Sequence, residues 1–220
     1  MANNVETSVV IRNLDKKGNE VLDSIFRSLD DYPSRSSKSS YGFSSGWNLF
    51  DYFKRGFDEE LHENHYAYAI NTMGAKWVIL NNVEKESDNY ESFELLSAWS
   101  VPVDALQHIF EKIHAVCPRA TFGVKFEDEF HNFLGYMTWR DGDFEDEEWI
   151  HSDTLVQELI QIDKDLEDEL DGEGWFNVED EDTQDAVWDA EYQLLERIDN
   201  AMIWQLDQYD KEWLEESSNG

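Results

Sequence analysis

The sequence predicts an α+β fold, in which an antiparallel sheet domain is followed by an acidic helical segment. In residues 1–140, short β-branched runs alternate with stretches of helical periodicity. In residues 141–220, apolar residues recur at helical spacing over two long stretches. The charge also changes sharply between these parts, because residues 1–140 carry net −7 and residues 141–220 carry −26 of the total of −33. We therefore expect a domain boundary at about residue 141.

The chain is expected to begin with a strand and a helix. Residues 7–14 form a short β-branched run that is typical of a strand. Residues 16–31 follow, with apolar side chains at the spacing of one helix face. Residues 32–46 are rich in Ser and Gly and indicate a loop, and residues 47–61 have the pattern of a short amphipathic helix. Together, residues 32–65 are predicted to be a loop and helix insertion.

The remaining part of the sheet domain is expected to contain several strands and a second helix. The helix covers residues 102–118 and begins at Pro102, a residue favoured at a helix start. A tight turn near Glu129–Asn132 joins the last two strands. The resulting order of strand, helix, strands, helix, strands is a split β-α-β arrangement, ferredoxin-like in outline, with both helices on one sheet face. The strands are predicted at residues 66–70, 76–84, 92–101, 120–130 and 132–142.

Three runs in this domain, "GAKWVILNNVE", "FELLSAWSVPVDALQHIFEKIHAVCPRATFGVKFEDE" and "FLGYMTW", resemble a known family. They are similar to the YubB-type ferredoxin-fold family of phages and conjugative plasmids, over roughly residues 66–140. The Asn-Trp-Cys segment that often opens that family is absent here. The resemblance implies a ferredoxin-like fold and a mobile-element setting, and it implies no catalytic residues. The matching residues are Gly74, Lys76, Trp77, Trp99, Ser100, Pro102, Phe133 and Gly135.

The acidic segment is expected to fold as a helical hairpin. Ser152 or Asp153 can cap a first helix at residues 151–170. One face of this helix carries Leu155, Leu159, Ile162, Leu166 and Leu170. A second helix at residues 183–216 contains neither Gly nor Pro. We expect the hairpin to dock on the sheet domain, with a homodimer sealed by the second helix as the alternative. Its apolar stripe is predicted from the seven-residue repeat of Trp188, Leu195, Met202 and Tyr209, with Ile198, Leu206 and Trp213 beside it.

The acidic residues of this segment are the candidate functional site. Residues 141–220 contain 29 acidic and 3 basic residues. Like-charge pairs four apart on a helix cost roughly 0.2–0.5 kcal/mol each, and solubility needs a net charge of only about 2–8. A partner-binding surface explains this excess, although high solubility or salt tolerance remains the alternative. The predicted partner-binding residues are Asp163, Asp165, Glu167, Asp168, Glu169, Asp171, Glu173, Glu179, Asp180, Glu181, Asp182, Asp185 and Asp189.

The charge pattern predicts a DNA mimic. Carboxylates four residues apart on a helix lie about 6 Å apart, a spacing comparable to that of phosphates along one strand. The two expected helices carry 17 acids, which over about 50 Å is near one per 3 Å, against one per 1.7 Å in duplex DNA. We expect a non-enzymatic phage or plasmid inhibitor of the anti-restriction or anti-CRISPR type, which occludes the DNA-binding site of a host defence nuclease. The alternative is an acidic adaptor or immunity-type protein that binds a basic protein partner without mimicry.

The same composition argues against other classes of function. The negative charge disfavours direct binding of nucleic acid or of an anionic membrane. No apolar run approaches the roughly 18 residues of a membrane span, and we expect no signal peptide. Cys117 is the only cysteine, so no internal disulfide can form and a cytoplasmic location, in the host cell if phage-encoded, is expected.

We expect no catalytic residue, metal site or cofactor. His62 and His65 are three residues apart, whereas the H-E-x-x-H zinc motif places its histidines four apart. Residues 141–152 begin like a calcium loop, but Asp146 stands where that loop needs Gly and Ser152 where it needs Glu.

Overall fold

The computed structural model describes residues 3–30, 47–48, 70–87, 89–167, 170 and 181–219. Within these ranges the chain is α+β, as the sequence predicts, with an antiparallel sheet and a long C-terminal helix. The elements in chain order are β1 Asn4–Arg12, α1 Lys16–Asp30, β2 Trp47–Asn48, β3 Val78–Glu86, β4 Asn89–Ala98, α2 Val103–His114, β5 Thr121–Asp128, β6 Phe133–Arg140, β7 Asp143–His151, α3 Ser152–Ile162 and α4 Glu181–Asn219.

The described strands form one sheet in the order β2-β3-β4-β1-β5-β6-β7, and every neighbouring pair is antiparallel. β2 has only two residues, so the sheet consists of six full strands and a short edge piece. The helix predicted at residues 47–61 is wrong at its start, because Trp47 pairs with Leu80 of β3. The rest of that prediction, the loop at 32–46 and most of the strand predicted at 66–70 lie outside the described residues. Ile70, the last residue of that predicted strand, is helical.

The first face of the sheet is covered by α1 and α2. Seven of the 26 buried residues in this core are aromatic, and Phe110 of α2 stacks on Phe122 of β5 with ring centroids 4.0 Å apart. Trp139 of β6 is fully buried beside them, and its indole N–H donates to Gln107 Oε1 at 2.8 Å. A buried indole needs such an acceptor, so Gln107 fixes the ring in place.

β7 is a strand that the sequence analysis did not predict. It follows a two-residue turn at Asp141 and Gly142, whose φ angles are 53° and 106°, and Arg140 pairs with Asp143 across it. Asp-Gly favours this turn because both central residues require positive φ, and it matches the twist of the flanking strands. The boundary expected at about residue 141 falls in this turn, and the sheet continues through it. The residues that begin like a calcium loop are therefore a hairpin turn and a strand.

The helix predicted at residues 151–170 ends early. α3 stops at Ile162, and Asp163 has extended backbone angles. The Asp163 carboxylate then accepts the Asp165 amide at 3.0 Å and starts a short 3-10 turn, Lys164–Glu167. Aspartate competes for backbone amides in this way, which disfavours a continuing helix. Leu166 and Leu170 remain buried, as predicted, although they are no longer on the same helix as Leu155.

α4 contacts α3, β5 and β6, and so covers the second face of the sheet. Its close approach is possible because β5 has a glycine there: a Cβ on Gly123 would lie 2.8 Å from Met202 Sδ and 3.0 Å from Leu206 Cδ1. The second helix was therefore predicted correctly, and most of its stripe is buried within one chain. A homodimer sealed by that stripe would have to separate Met202 and Tyr209 from the sheet.

The register of the predicted stripe is wrong in the first half of α4. Trp188 is 58% exposed and Leu195 is only partly buried. Most steps between buried residues are four, and each such step turns the helix about 40° past a full turn. The buried stripe consequently winds around α4 as the helix passes from α3 to the sheet. Its members are Val187, Ala190, Leu194, Ile198, Met202, Leu206 and Tyr209.

Candidate partner-binding surface

Cations on the sheet hold one side of α4. Arg12 of β1 lies 3.0 Å from the Asp207 carboxylate and 3.4 Å from that of Asp210. Lys125 of β5 pairs with Asp199 at 2.7 Å. Arg140 of β6 pairs with Glu212 near the C-terminal end of α4. Part of the acidity of α4 is therefore used inside the chain, to fix the helix on the sheet.

Tyr209 forms a further anchor beneath α4. Its hydroxyl lies 2.8 Å from Thr138 Oγ1 and donates to Asp146 Oδ2 at 2.7 Å. The Arg140 guanidinium lies 4.1 Å from the ring centroid. The side chain is 3% exposed, and burial together with the Asp146 carboxylate raises the pKa of Tyr209 well above its ordinary value. The phenol is thus a neutral donor that ties β6, β7 and α4 together.

The first half of α4 carries a row of exposed acids. We call Asp182, Asp185, Asp189 and Glu196 the outer acidic face, and all four are exposed. Their spacings of three, four and seven residues place them along one side of the helix, over a length of about 21 Å. The sequence of α4 has only two basic residues, so little positive charge offsets this face.

The structure describes seven of the thirteen predicted site residues. Asp165, Glu167, Asp182, Asp185 and Asp189 are exposed, in agreement with a role at a surface. Asp163 is half-buried and accepts the Asp165 amide, so it has a local structural role. For Glu181, only the backbone at the start of α4 is described. The residues outside the described ranges are Asp168, Glu169, Asp171, Glu173, Glu179 and Asp180.

Two parts of this surface are not predicted by the sequence pattern. The first is β7, an edge strand of the described sheet, where Asp143, Glu145 and Glu147 are exposed. Charges on an edge strand oppose pairing with other chains, and the Asp-Gly turn was the available signal for this strand. The second is aromatic, because Trp188 and Tyr192 are 58% and 70% exposed beside the outer acidic face. No sequence pattern distinguished these rings from buried ones.

The residues that carry the family resemblance gather largely at one corner of the sheet. Gly74 has φ of 76° and its carbonyl accepts the Ser100 hydroxyl. Lys76 Nζ lies 4.5 Å from the ring centroid of Trp99, which itself has φ of 69°. At the other end of the chain segment, a Cβ on Gly135 would lie 1.9 Å from the Glu148 carbonyl oxygen. These contacts fix backbone geometry, and they explain the residue types without a ligand.

Comparison with known proteins adds no identity to this surface. No protein-family model matches the sequence, and neither a curated protein nor a solved structure matches it. None of the helices that the structure describes combines the length and the hydropathy that a membrane span requires. His62 and His65 lie outside the described residues.

Proposed function

We propose that this protein is a non-enzymatic inhibitor from a phage or plasmid, whose acidic surface imitates DNA and occludes the DNA-binding site of a host defence nuclease. The observation that carries the proposal is the outer acidic face of α4. Its acids are exposed, whereas other acids of the same helix are partly buried and form ion pairs with Arg12 and Lys125 of the sheet. Exposed like charges along one helix do not stabilise that helix, so a cationic partner is the simplest reason for them.

The length of α4 and the way it is held in the fold suit a DNA mimic. A helix of 39 residues is about 58 Å long, which corresponds to about 17 base pairs of duplex. The 12 acids in its sequence give about one charge per 5 Å, sparser than either a duplex or one strand. The exposed acids of β7 and of the 3-10 turn add to that density. Because α3 and the sheet together hold α4 in place, a partner would meet a rigid array and little ordering entropy would be lost on binding.

We also propose that the protein has a ferredoxin-like core and a helical hairpin, and that it comes from a mobile element and acts in the host cytoplasm. The order β3-β4-β1-β5 with α1 and α2 on one face supports a ferredoxin-like core. The contact between α3 and α4 supports a helical hairpin. The mobile-element setting and the host cytoplasm rest on the resemblance to the YubB-type family and on the lone cysteine.

A second candidate is favoured by the exposed aromatic side chains. Trp188, Tyr192 and Trp204 are each more than half exposed on α4. Trp and Tyr are enriched at the energetic centres of protein interfaces, whereas a phosphate backbone has no counterpart to them. An acidic adaptor or immunity-type protein would use these rings to fill apolar pockets on a basic partner, and its binding would not depend on a DNA site.

A capture experiment with matched charge variants distinguishes the two candidates. The full chain is immobilised, a bacterial lysate is passed over it, and retained proteins are identified by mass spectrometry with and without competitor duplex DNA. The test variant replaces Asp165, Asp182, Asp185, Asp189 and Glu196 by their amides. The control variant makes the same change at five exposed acids elsewhere: Glu20, Glu84, Glu86, Glu91 and Glu111.

DNA mimicry requires three results. The captured protein is a DNA-binding nuclease, duplex DNA displaces it, and the test variant binds it at least about tenfold more weakly. Higher salt also weakens the binding of the unmodified chain, because exposed charges are screened. The control variant binds like the unmodified chain. Binding that survives the test substitutions and tolerates DNA on the same partner would reject mimicry. Loss of that binding in Trp188→Ala would then support the adaptor.

A further inference from the structure

Three metal-ligating side chains converge where the β5–β6 turn meets α4. Glu127 lies at the end of β5, His131 in the turn, and Glu191 on α4. His131 Nδ1 is 2.7 Å from Glu191 Oε1 and 3.7 Å from Glu127 Oε1. One ligand atom from each residue lies within 4.8 Å of the other two, and all three residues are half-buried. This cluster is separate from the outer acidic face.

The separations suit a small divalent ion. A tetrahedral zinc ion with bonds of 2.0–2.1 Å needs ligand atoms about 3.3 Å apart. The two distances from His131 Nδ1 bracket that value, and shifts of about half an ångström would bring both of them to it. Glu191 contributes an oxygen, Oε1, that is buried where α4 meets the β5–β6 turn. Such a donor set of imidazole and carboxylate oxygen differs from the all-oxygen sets that calcium and magnesium prefer.

The turn holds the imidazole in position. His131 has φ of 51°, and its amide donates to the Asp128 carbonyl at 2.7 Å. The Asp128 side chain is fully buried, and its Oδ2 accepts the amides of Phe130 and Asn132 at 3.2 and 3.0 Å. A ligand on so constrained a turn is already oriented before an ion binds, which lowers the entropy cost of binding.

The surroundings of the cluster are negative and open on one side. Glu6 of β1 pairs across the strands with Glu127, which places two carboxylates side by side. A surface pocket of about 260 Å³ is lined by Asn4, Glu6, Glu127 and Glu129. Like charges directly opposite each other on a sheet are destabilising, so a cation here would relieve repulsion. Glu127 is part of the lining, so solvent reaches this ligand of the cluster from the pocket.

We propose that Glu127, His131 and Glu191 bind a divalent transition-metal ion of the zinc class. The ion joins the β5–β6 turn to the first half of α4, and so fastens the helix that carries the outer acidic face. This proposal does not depend on the function proposed above, because the ligands lie on the inner side of α4.

Cobalt binding to the full chain tests the site. The protein is stripped with a chelator and titrated with Co²⁺, a spectroscopic substitute for Zn²⁺ whose visible absorption is strong in a four-coordinate site and weak in an octahedral one. We expect the strong bands, their loss on addition of Zn²⁺, and their persistence in millimolar Mg²⁺. Zn²⁺ in about hundredfold excess over its Kd should raise Tm by about 5–10 °C.

Glu191→Gln and Glu216→Gln form a matched pair, since both remove one carboxylate from α4 and only Glu191 belongs to the cluster. We expect the first to weaken Co²⁺ binding at least about 100-fold, because even outer-shell partners cost 10–100-fold. The second should leave it unchanged. Circular dichroism of the metal-free variants verifies that α4 is folded, and Glu127→Gln replaces Glu191→Gln if it is not. Only weak octahedral absorption, or equal losses in the cluster and control variants, would overturn the proposal.

Discussion

The two faces of the sheet are covered in different ways. On the face of α1 and α2, stacked rings such as Phe110 and Phe122 fill the core. On the face of α4, aliphatic side chains form the contact, and the sheet cations Arg12 and Lys125 pair with carboxylates along the helix. A strongly acidic helix can therefore join a fold when the surface beneath it supplies the missing positive charge. The first face is held mainly by packing, with Lys85 of β3 paired to Asp23 of α1 at 2.9 Å, and the second by packing together with several ion pairs.

The largest effect is expected on the aromatic face. Phe122→Ala removes a fully buried ring and leaves a cavity beside Phe110 and Trp139, which should lower the free energy of unfolding by about 3–5 kcal/mol. Guanidinium denaturation measures this loss. If both faces belong to one cooperative unit, amide exchange in α4 should accelerate by the same free energy. Unchanged exchange in α4 would show that the two faces unfold separately.

On the second face, overpacking at Gly123 should cost less. Gly123→Val pushes Met202 and Leu206 outwards, and we expect a loss of about 1–3 kcal/mol in the same denaturation experiment. Gly123→Ala should cost clearly less than Gly123→Val, because Met202 and Leu206 can move aside for a single methyl group. Equal and negligible costs for both variants would mean that α4 does not pack closely on β5.

The contribution of charge to the second face is tested at Arg140. Arg140→Gln removes pairs with Glu145 and Glu212 and the contact with the Tyr209 ring. We expect a loss of about 1 kcal/mol at low salt, and a smaller one at high salt because screening already weakens the pairs. Lys16→Gln is the control on α1, where the lysine is 90% exposed, and should leave stability unchanged. If both variants changed the free energy of unfolding equally at all salt concentrations, charge would not distinguish the two faces.

The smallest effect is expected from alkaline pH. The folded protein binds the Tyr209 proton more tightly than the unfolded chain, whose tyrosine pKa is near 10.0. Stability from this group is therefore complete below pH 10 and declines above it, by roughly 1 kcal/mol or less at pH 10.5. Thermal unfolding between pH 8 and 10.5 measures the decline, and Tyr209→Phe should reduce it. An identical decline in the variant would assign it to other groups.

Local patterns predicted most of the sheet and its first face. Strands such as β1 and β5 are rich in β-branched and aromatic residues, and α2 follows a proline and has a clear apolar stripe. β7 escaped prediction because its acidic residues are depleted in strands, and pairing with β6 outweighs that preference. The stripe of α4 was misplaced because a heptad repeat describes helices that supercoil around one another, whereas this helix crosses from α3 to a twisted sheet.

The sequence predicted which type of residue forms the candidate site, but it did not predict how those residues are arranged in space. The sequence shows an excess of acid after residue 141, and exposed members such as Asp185 and Asp189 agree with a surface role. It could not show which acids face the sheet. Arg12 and Asp210 are 198 residues apart in the chain, so only the tertiary fold pairs them. The convergence of Glu127, His131 and Glu191 has the same origin, since three separate elements contribute to it.

The position of α4 in the chain also has a consequence for synthesis on the ribosome. The strands that carry Arg12, Lys125 and Arg140 leave the ribosome before the helix that neutralises them. At 5–20 residues per second, the roughly 80 residues after β6 take about 4–16 s to translate. During that interval the sheet face that α4 later covers presents these three cations without their partners on α4, and part of its apolar surface is uncovered, although residues 1–140 as a whole carry net −7. We expect chaperones to bind this face of the nascent chain until α4 docks.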